Sequence, residues 1–160
     1  MKNWFTLTFL FLSIFTLSGQ SFSKKELKYK PVNLEEAVQQ LFKIIPDTTQ
    51  QKVLSMTENE FITSSHFGLG MYIRNNWIYW GNRKLSKHFR SIGIFQADDM
   101  SGIILICYYR QLHDQEWKLE EQIKFYQLYW ELTKEHFQKV ENDTRYEREV
   151  KISQDSLKKK

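Results

Sequence analysis

The chain has one cysteine, Cys107, among its 160 residues. No internal disulfide can form, which excludes a small scaffold stapled by bridges. Cys107 sits inside Ile103-Ile104-Leu105-Ile106-Cys107-Tyr108 and reads as a small buried apolar side chain rather than a reactive thiol. Beyond the N-terminus there is no apolar run long enough to span a bilayer, which takes roughly 20 residues. Period-two alternation of useful length, internal repeats and a second domain are also missing, which argues against a β architecture. A Gly-rich phosphate loop, a nucleophile elbow and a Cys-His pairing are absent. So are a His-x-x-x-His pair and a His-Glu-x-x-His run, and neither a metal nor another cofactor is expected. The folded part lacks an excess of positive charge too. The formal net charge is +4, but Lys24, Lys25, Lys28 and Lys30 crowd one end and Lys158, Lys159 and Lys160 close the other. Residues 31–140 carry 12 Lys and Arg against 13 Asp and Glu. A nucleic-acid binder would hold its positive charge on the folded domain, so nucleic acid is not an expected partner.

What is present begins with a leader pattern. Met1-Lys2-Asn3 precedes an uncharged apolar stretch from Trp4 to Leu17, and Gly19-Gln20-Ser21 supplies small residues. A positive start, a short apolar core and a small-residue site predict a secretory signal peptide over residues 1–21, cleaved near 19–21. No cysteine follows the apolar core, so the lipid-anchored form of this signal is excluded and the expected location is periplasmic or secreted. Residues 22–32 read as a basic linker bounded by Pro31.

From Asn33 the pattern becomes helical. Asn33 is placed to cap a helix with Glu36 at the capping-box position, and Leu34, Ala37, Val38, Leu41, Phe42 and Ile45 form one apolar stripe. Pro46 ends it, and Asp47 is expected to cap a short helix through Leu54. Thr57-Glu58-Asn59-Glu60 is a second capping box, opening a helix from about Glu58 to Tyr79 with Gly68 and Gly70 in its middle. Two glycines there imply a close helix approach or a bend. Arg83 to Ser91 makes a shorter helix with Leu85, Phe89 and Ile92 inward, ended by Gly93. Asp98 and Asp99 open the next, whose nearly all-round apolar surface predicts a central position. The last helix is expected from near Glu116, packing on the domain to about Leu132. Leu119, Ile123, Tyr126, Trp130, Thr133, Phe137, Val140 and Thr144 alternate spacings of four and three along it. The expected fold is therefore a single all-α irregular bundle of five or six helices over residues 33–140, followed by a charged, loosely ordered tail at 141–160.

Three ordered stretches carry a family resemblance. They are His66-Phe67-Gly68-Leu69-Gly70-Met71 continuing through Ile73-Arg74-Asn75-Asn76-Trp77, then Arg83 to Phe89, then Asp98-Asp99-Met100-Ser101-Gly102-Ile103-Ile104-Leu105. Together they resemble an uncharacterised bacterial domain-of-unknown-function family from about Asn33 to Trp130. The chain departs from that pattern at Tyr72, where such sequences have Trp, at Gln96-Ala97, where they have His-Pro, and beside Gly81, where they have a second glycine. The resemblance implies one bacterial domain; it supplies no activity and no catalytic residue.

Candidate site residues follow from chemistry alone. Arg74, Asn75 and Asn76 offer a planar two-pronged donor and two amides, with Trp77 and Trp80 as an apolar floor and Arg83, Lys87 and Arg90 as a basic helix face. That set suits an envelope protein, a glycan or an anionic surface. The competing reading pairs Arg74 with Asp98 or Asp99 across two helices and sinks the tryptophans into the core. His66 shares a helical face with Ile62, Leu69 and Ile73, so a partly buried histidine is expected. If the chain were an enzyme, His66 would be the base, assisted by Asp98 or Asp99, in a hydrolase of an envelope polymer. The favoured reading is a non-enzymatic binding or interaction module.

Overall fold

The computed structural model describes residues 28–79 and 83–157. The predicted signal peptide, most of the predicted linker and Trp80 lie outside the described residues. Among the described residues the fold is all-α, as the periodicity predicts. Its elements are α1 (Leu34–Ile44), α2 (Asp47–Val53), α3 (Glu58–Ser65), a π-helical turn π1 (His66–Gly70), α4 (Met71–Ile73), a second π-helical turn π2 (Arg74–Tyr79), α5 (Arg83–Ser91), α6 (Ala97–Leu112) and α7 (Leu119–Leu157). No described helix is long and apolar enough to cross a membrane.

Local chemistry accounts for the boundaries. The Asn33 side chain accepts the Glu36 amide at 2.8 Å. The Glu36 carboxylate reaches past the cap to the Val32 amide (3.1 Å) and the Tyr29 hydroxyl (2.6 Å). Pro46 itself, not Asp47, occupies the cap of α2, and no side chain caps that helix. The Gln50 amide instead seals the end of α1, donating to the Phe42 and Ile45 carbonyls at 3.1 and 2.9 Å. The α3 capping box is complete in both directions. Thr57 donates from its backbone and hydroxyl to Glu60, holding that carboxyl below the usual range, with the backbone contribution the larger. Stability from this contact is present above the ordinary carboxylate pKa and fades as pH falls through the lowered folded value. Thr57→Ala is expected to cost about 1 kcal/mol in urea unfolding, the usual worth of a threonine cap. At Gly93, φ is 83°, the left-handed region, and the turn closes with Gly93 N–H on the Arg90 carbonyl and Ile94 N–H on the Phe89 carbonyl.

The chain divides into two compact units, residues 1–123 and 124–160. In the first, α6 packs against α1, α3, both π turns and α5, so the central position predicted for it is observed. Met100, Ile103, Ile104, Cys107 and Tyr108 are all buried. Burial pushes the Cys107 thiol up to about 12, which suits an inert core residue. Phe42, Phe61, Tyr108 and Tyr109 form an aromatic cluster with ring centroids 4.8–5.9 Å apart. Inside it the Tyr108 hydroxyl is fully buried with no hydrogen-bond partner, and desolvation raises its pKa. Removing an unsatisfied buried hydroxyl removes its desolvation penalty, so Tyr108→Phe is expected to stabilise the fold by about 1 kcal/mol. A loss of similar size in thermal unfolding would show that the hydroxyl is satisfied.

α7 is helical from Leu119 to Leu157. Residues 141–157, predicted as loosely ordered, are helical; Glu, Lys, Arg and Gln keep good helix propensity where apolar residues thin out. Phe125, Leu128, Tyr129 and Leu132 of α7 are exposed.

Candidate functional site

The resemblance-bearing stretches 66–77 and 98–105 meet where π1, π2 and the start of α6 come together. A π turn holds an extra residue per turn and is costly, so it is found chiefly where function or packing holds it in place. Here His66 opens π1 and Arg74 opens π2. Arg74 turns inward with its side chain only 10% exposed. Its Nη2 donates to the His66 carbonyl at 3.2 Å, and its Nη1 donates to the Ser101 hydroxyl at 3.0 Å. The same Nη1 lies 3.2 Å from Asp98 Oδ1 in an ion pair. Ser101 in turn donates to the Asp98 carbonyl at 2.9 Å. One guanidinium thus joins the first π turn to the first turn of α6.

The outer layer of the site is different in character. Asp98 is 61% exposed and His66 is 46% exposed, with His66 Nε2 4.0 Å from Asp98 Oδ1. The His66 ring stands edge-on to Phe67 (centroids 4.8 Å apart), and Phe67 is 75% exposed. Met71, the first residue of α4, is also exposed. The site therefore shows solvent an aromatic ring, a thioether, an imidazole and a carboxylate.

The two glycines of π1 differ. A Cβ at Gly70 would lie 3.1 Å from Arg74 Nη1 and 3.4 Å from the Ser65 carbonyl, whereas a Cβ at Gly68 would meet nothing within 4 Å. Gly68→Ala is expected to stabilise by about 0.5–1 kcal/mol through reduced backbone entropy in the unfolded chain. Gly70→Ala presses on a guanidinium already held by three partners, and is expected to destabilise by about 1 kcal/mol despite the same helix-propensity gain. Paired denaturation midpoints that move in the same direction would contradict this.

Several sequence-stretch assignments change with the geometry. Trp77 is fully buried and Arg74 is drawn inward by Ser101, Asp98 and the His66 carbonyl, so for these two residues the competing reading, an Arg74–Asp98 pair with the tryptophan in the core, is the one observed. Asn75 and Asn76 remain exposed, the latter donating to the Tyr72 carbonyl at 2.9 Å along its own helix. Lys87 and Arg90 are exposed on α5, while Trp80 and the Arg83 side chain fall outside the described residues. His66, expected against Ile62, Leu69 and Ile73, instead faces solvent, since the π turn it opens shifts the helical register. Asp98 and Asp99 diverge as adjacent helical residues do, Asp98 exposed and Asp99 buried. His88 and His113 lie elsewhere, His113 stacked on Tyr109 with centroids 4.0 Å apart. Among the described residues, no group of three or more His, Cys, Asp or Glu side chains is placed to hold a metal ion.

Sequence patterning missed one further tie. Arg110, on α6, grips Glu58, on α3, through two bonds (Nε to Oε2 at 2.7 Å, Nη2 to Oε1 at 3.0 Å) and donates Nη1 to the Trp117 carbonyl at 2.8 Å. Glu58 stands 52 residues away along the chain, so no local spacing signals that contact.

No curated protein and no solved structure is significantly similar to the chain. A family model described as Domain of unknown function (DUF6794) matches residues 30–112, just over half of the chain. The match takes in α1 to α6 and ends before α7, so the segment Leu119 to Tyr126, included in the resemblance drawn from the sequence, lies outside it. With Arg74, Asp98 and Ser101 all inside that match, the chain belongs to the family of this domain of unknown function (DUF6794).

Proposed function

We propose that the protein is an exported, non-enzymatic interaction module of the bacterial cell envelope, and that it contacts its partner through the surface around Phe67. The observation that carries this reading is how the site divides its groups. Arg74 is committed internally to Asp98, Ser101 and the His66 carbonyl, while Phe67 stands 75% exposed beside His66. A rigid aromatic ring at the rim of a braced polar cluster is the kind of side chain that anchors protein recognition. Export rests on the N-terminal pattern of a charged start, a short apolar core and a small-residue site.

Two experiments test these parts separately. N-terminal sequencing of the protein from the periplasmic fraction should begin near residues 20–22; an intact Met1 defeats export. A photoreactive residue at position 67 in living cells should give a discrete adduct with an envelope protein, and Phe67→Ala should abolish recovery of that partner without changing the circular dichroism. Recovery undiminished by Phe67→Ala sinks the assigned surface.

A hydrolase reading draws support from one observation, the solvent-reachable His66 beside Asp98. At 4.0 Å the pair lies beyond hydrogen-bonding distance, and the carboxylate is already engaged by Arg74. This second reading requires turnover of an envelope polymer that His66→Ala eliminates.

A further inference from the structure

The outer part of α7 presents a surface that the Phe67 site does not use. From Ile123 to Thr144 the residues at alternating spacings of three and four are Ile123, Tyr126, Trp130, Thr133, Phe137, Val140 and Thr144. Set on a heptad, Ile123, Trp130, Phe137 and Thr144 occupy a, and Tyr126, Thr133 and Val140 occupy d. Trp130, Phe137 and Val140 are exposed, and Phe137 is 66% so. Exposed apolar groups in register on one helix make a surface that a second helix can cover.

The two threonines of this seam do not oppose burial. Thr133 Oγ1 donates to the Tyr129 carbonyl at 2.7 Å, and Thr144 Oγ1 donates to the Val140 carbonyl at 2.8 Å. Their hydroxyl protons are satisfied on their own helix, so covering these two positions strands neither proton. The flanking positions then select the occupant. In the heptad, Tyr129, His136 and Asp143 fall at g, while Lys134, Glu141 and Arg148 fall at e. A parallel, in-register pair of helices brings each g residue to the e residue five positions on in its partner. Asp143 then faces the partner's Arg148, His136 faces the partner's Glu141, and Tyr129 faces the partner's Lys134. Two-fold symmetry repeats all three, and none joins like charges.

We propose that the protein self-associates as a parallel dimer through residues 123–144 of α7, where the seam stops short of Glu147 at the next d position, a second copy of the chain being the occupant. The apolar a and d groups supply the burial, and the Asp143-to-Arg148 contact favours the parallel, in-register arrangement. The Phe67 surface takes no part, so failure of either assignment leaves the other standing.

Light scattering on the full purified chain should report the mass of two chains. Phe137→Glu should halve that mass without loss of helical circular dichroism, whereas Leu128→Glu, at the outward f position, should leave it unchanged. Direction is read by cysteine cross-linking under mild oxidation. Trp130→Cys and Phe137→Cys should each give a disulfide-linked dimer, which an antiparallel pair allows at no more than one of the two, and Leu128→Cys should not. The native Cys107 is silent in this test because it is fully buried. A monomeric full chain, a mass other than two chains, a Phe137→Glu protein that stays dimeric, or a Trp130→Cys or Phe137→Cys protein that does not cross-link would each overturn the proposal.

Discussion

Arg74→Ala is expected to lower the free energy of unfolding by about 2–4 kcal/mol, since a charged hydrogen bond contributes about 1.5–3 kcal/mol and this side chain makes several polar contacts. Two features keep the figure below a simple sum. Asp98 is 61% exposed, so water takes over its carboxylate when the guanidinium leaves. The His66 carbonyl and the Ser101 hydroxyl are less well placed, because they lie against the buried guanidinium. The volume of a side chain only 10% exposed is also lost, leaving a gap between π2 and α6. Arg74→Lys should recover little of this, as one ammonium on a flexible stem cannot replace a planar fork spanning three partners. Asp98→Asn, which removes the half-solvated end, should cost under about 1 kcal/mol. Urea unfolding of the three variants separates the contributions. If Arg74→Ala costs less than Asp98→Asn, the bracing role assigned to the guanidinium is wrong.

The sequence made the helix ends legible because end chemistry is local. Asn33, Thr57 with Glu60, Gly93, and the acidic pair at Asp98 and Asp99 each act within one turn, and each is found where its residue type requires. The central rank of α6 was readable for a related reason: a helix apolar nearly all round can only be covered on most sides. What the sequence concealed begins at His66. A 3.6-residue period carried through residues 58–79 turns His66 inward with Ile73, and two π turns break that period. Glycines at 68 and 70 hinted at an irregularity without specifying its form. For Arg74 the sequence left two readings open, a polar surface cluster with Asn75 and Asn76 or a pairing with Asp98 or Asp99, and the observed ion pair with Asp98 is the second. A long side chain reaching back eight residues to the His66 carbonyl and forward to Ser101 is set by tertiary packing. The same limit applied to α7. Its apolar residues suggested packing to Leu132, yet the first compact unit ends at Ile123.

The contact least visible in the sequence should have an effect nearly as large as that of Arg74. Arg110→Ala is expected to cost about 2–3 kcal/mol, because the guanidinium meets the Glu58 carboxylate in the two-pronged geometry that gives strong charge-assisted bonds. The side chains are 19% and 35% exposed, so this pair is screened less than a surface pair but is not sealed. Glu58 and its hydrogen bond are the first cause of the raised Arg110 pKa, which keeps the guanidinium charged across any accessible pH. Arg110 also donates to the Trp117 carbonyl, in the connection where Asp114 and Lys118 adopt positive φ values of 54° and 49°. Left-handed backbone at residues other than glycine is strained and persists only when its surroundings hold it. Removing Arg110 therefore does more than break one ion pair: it frees the strained connection from which α7 starts. A double-mutant cycle divides the two effects. Coupling between Arg110→Ala and Glu58→Ala should be about 1–2 kcal/mol, with the remaining Arg110 loss assigned to the Trp117 carbonyl. Hydrogen exchange should then show amides of residues 113–118 opening faster in Arg110→Ala than in Glu58→Ala. Equal exchange in the two variants would confine Arg110 to the ion pair and remove its hold on the turn.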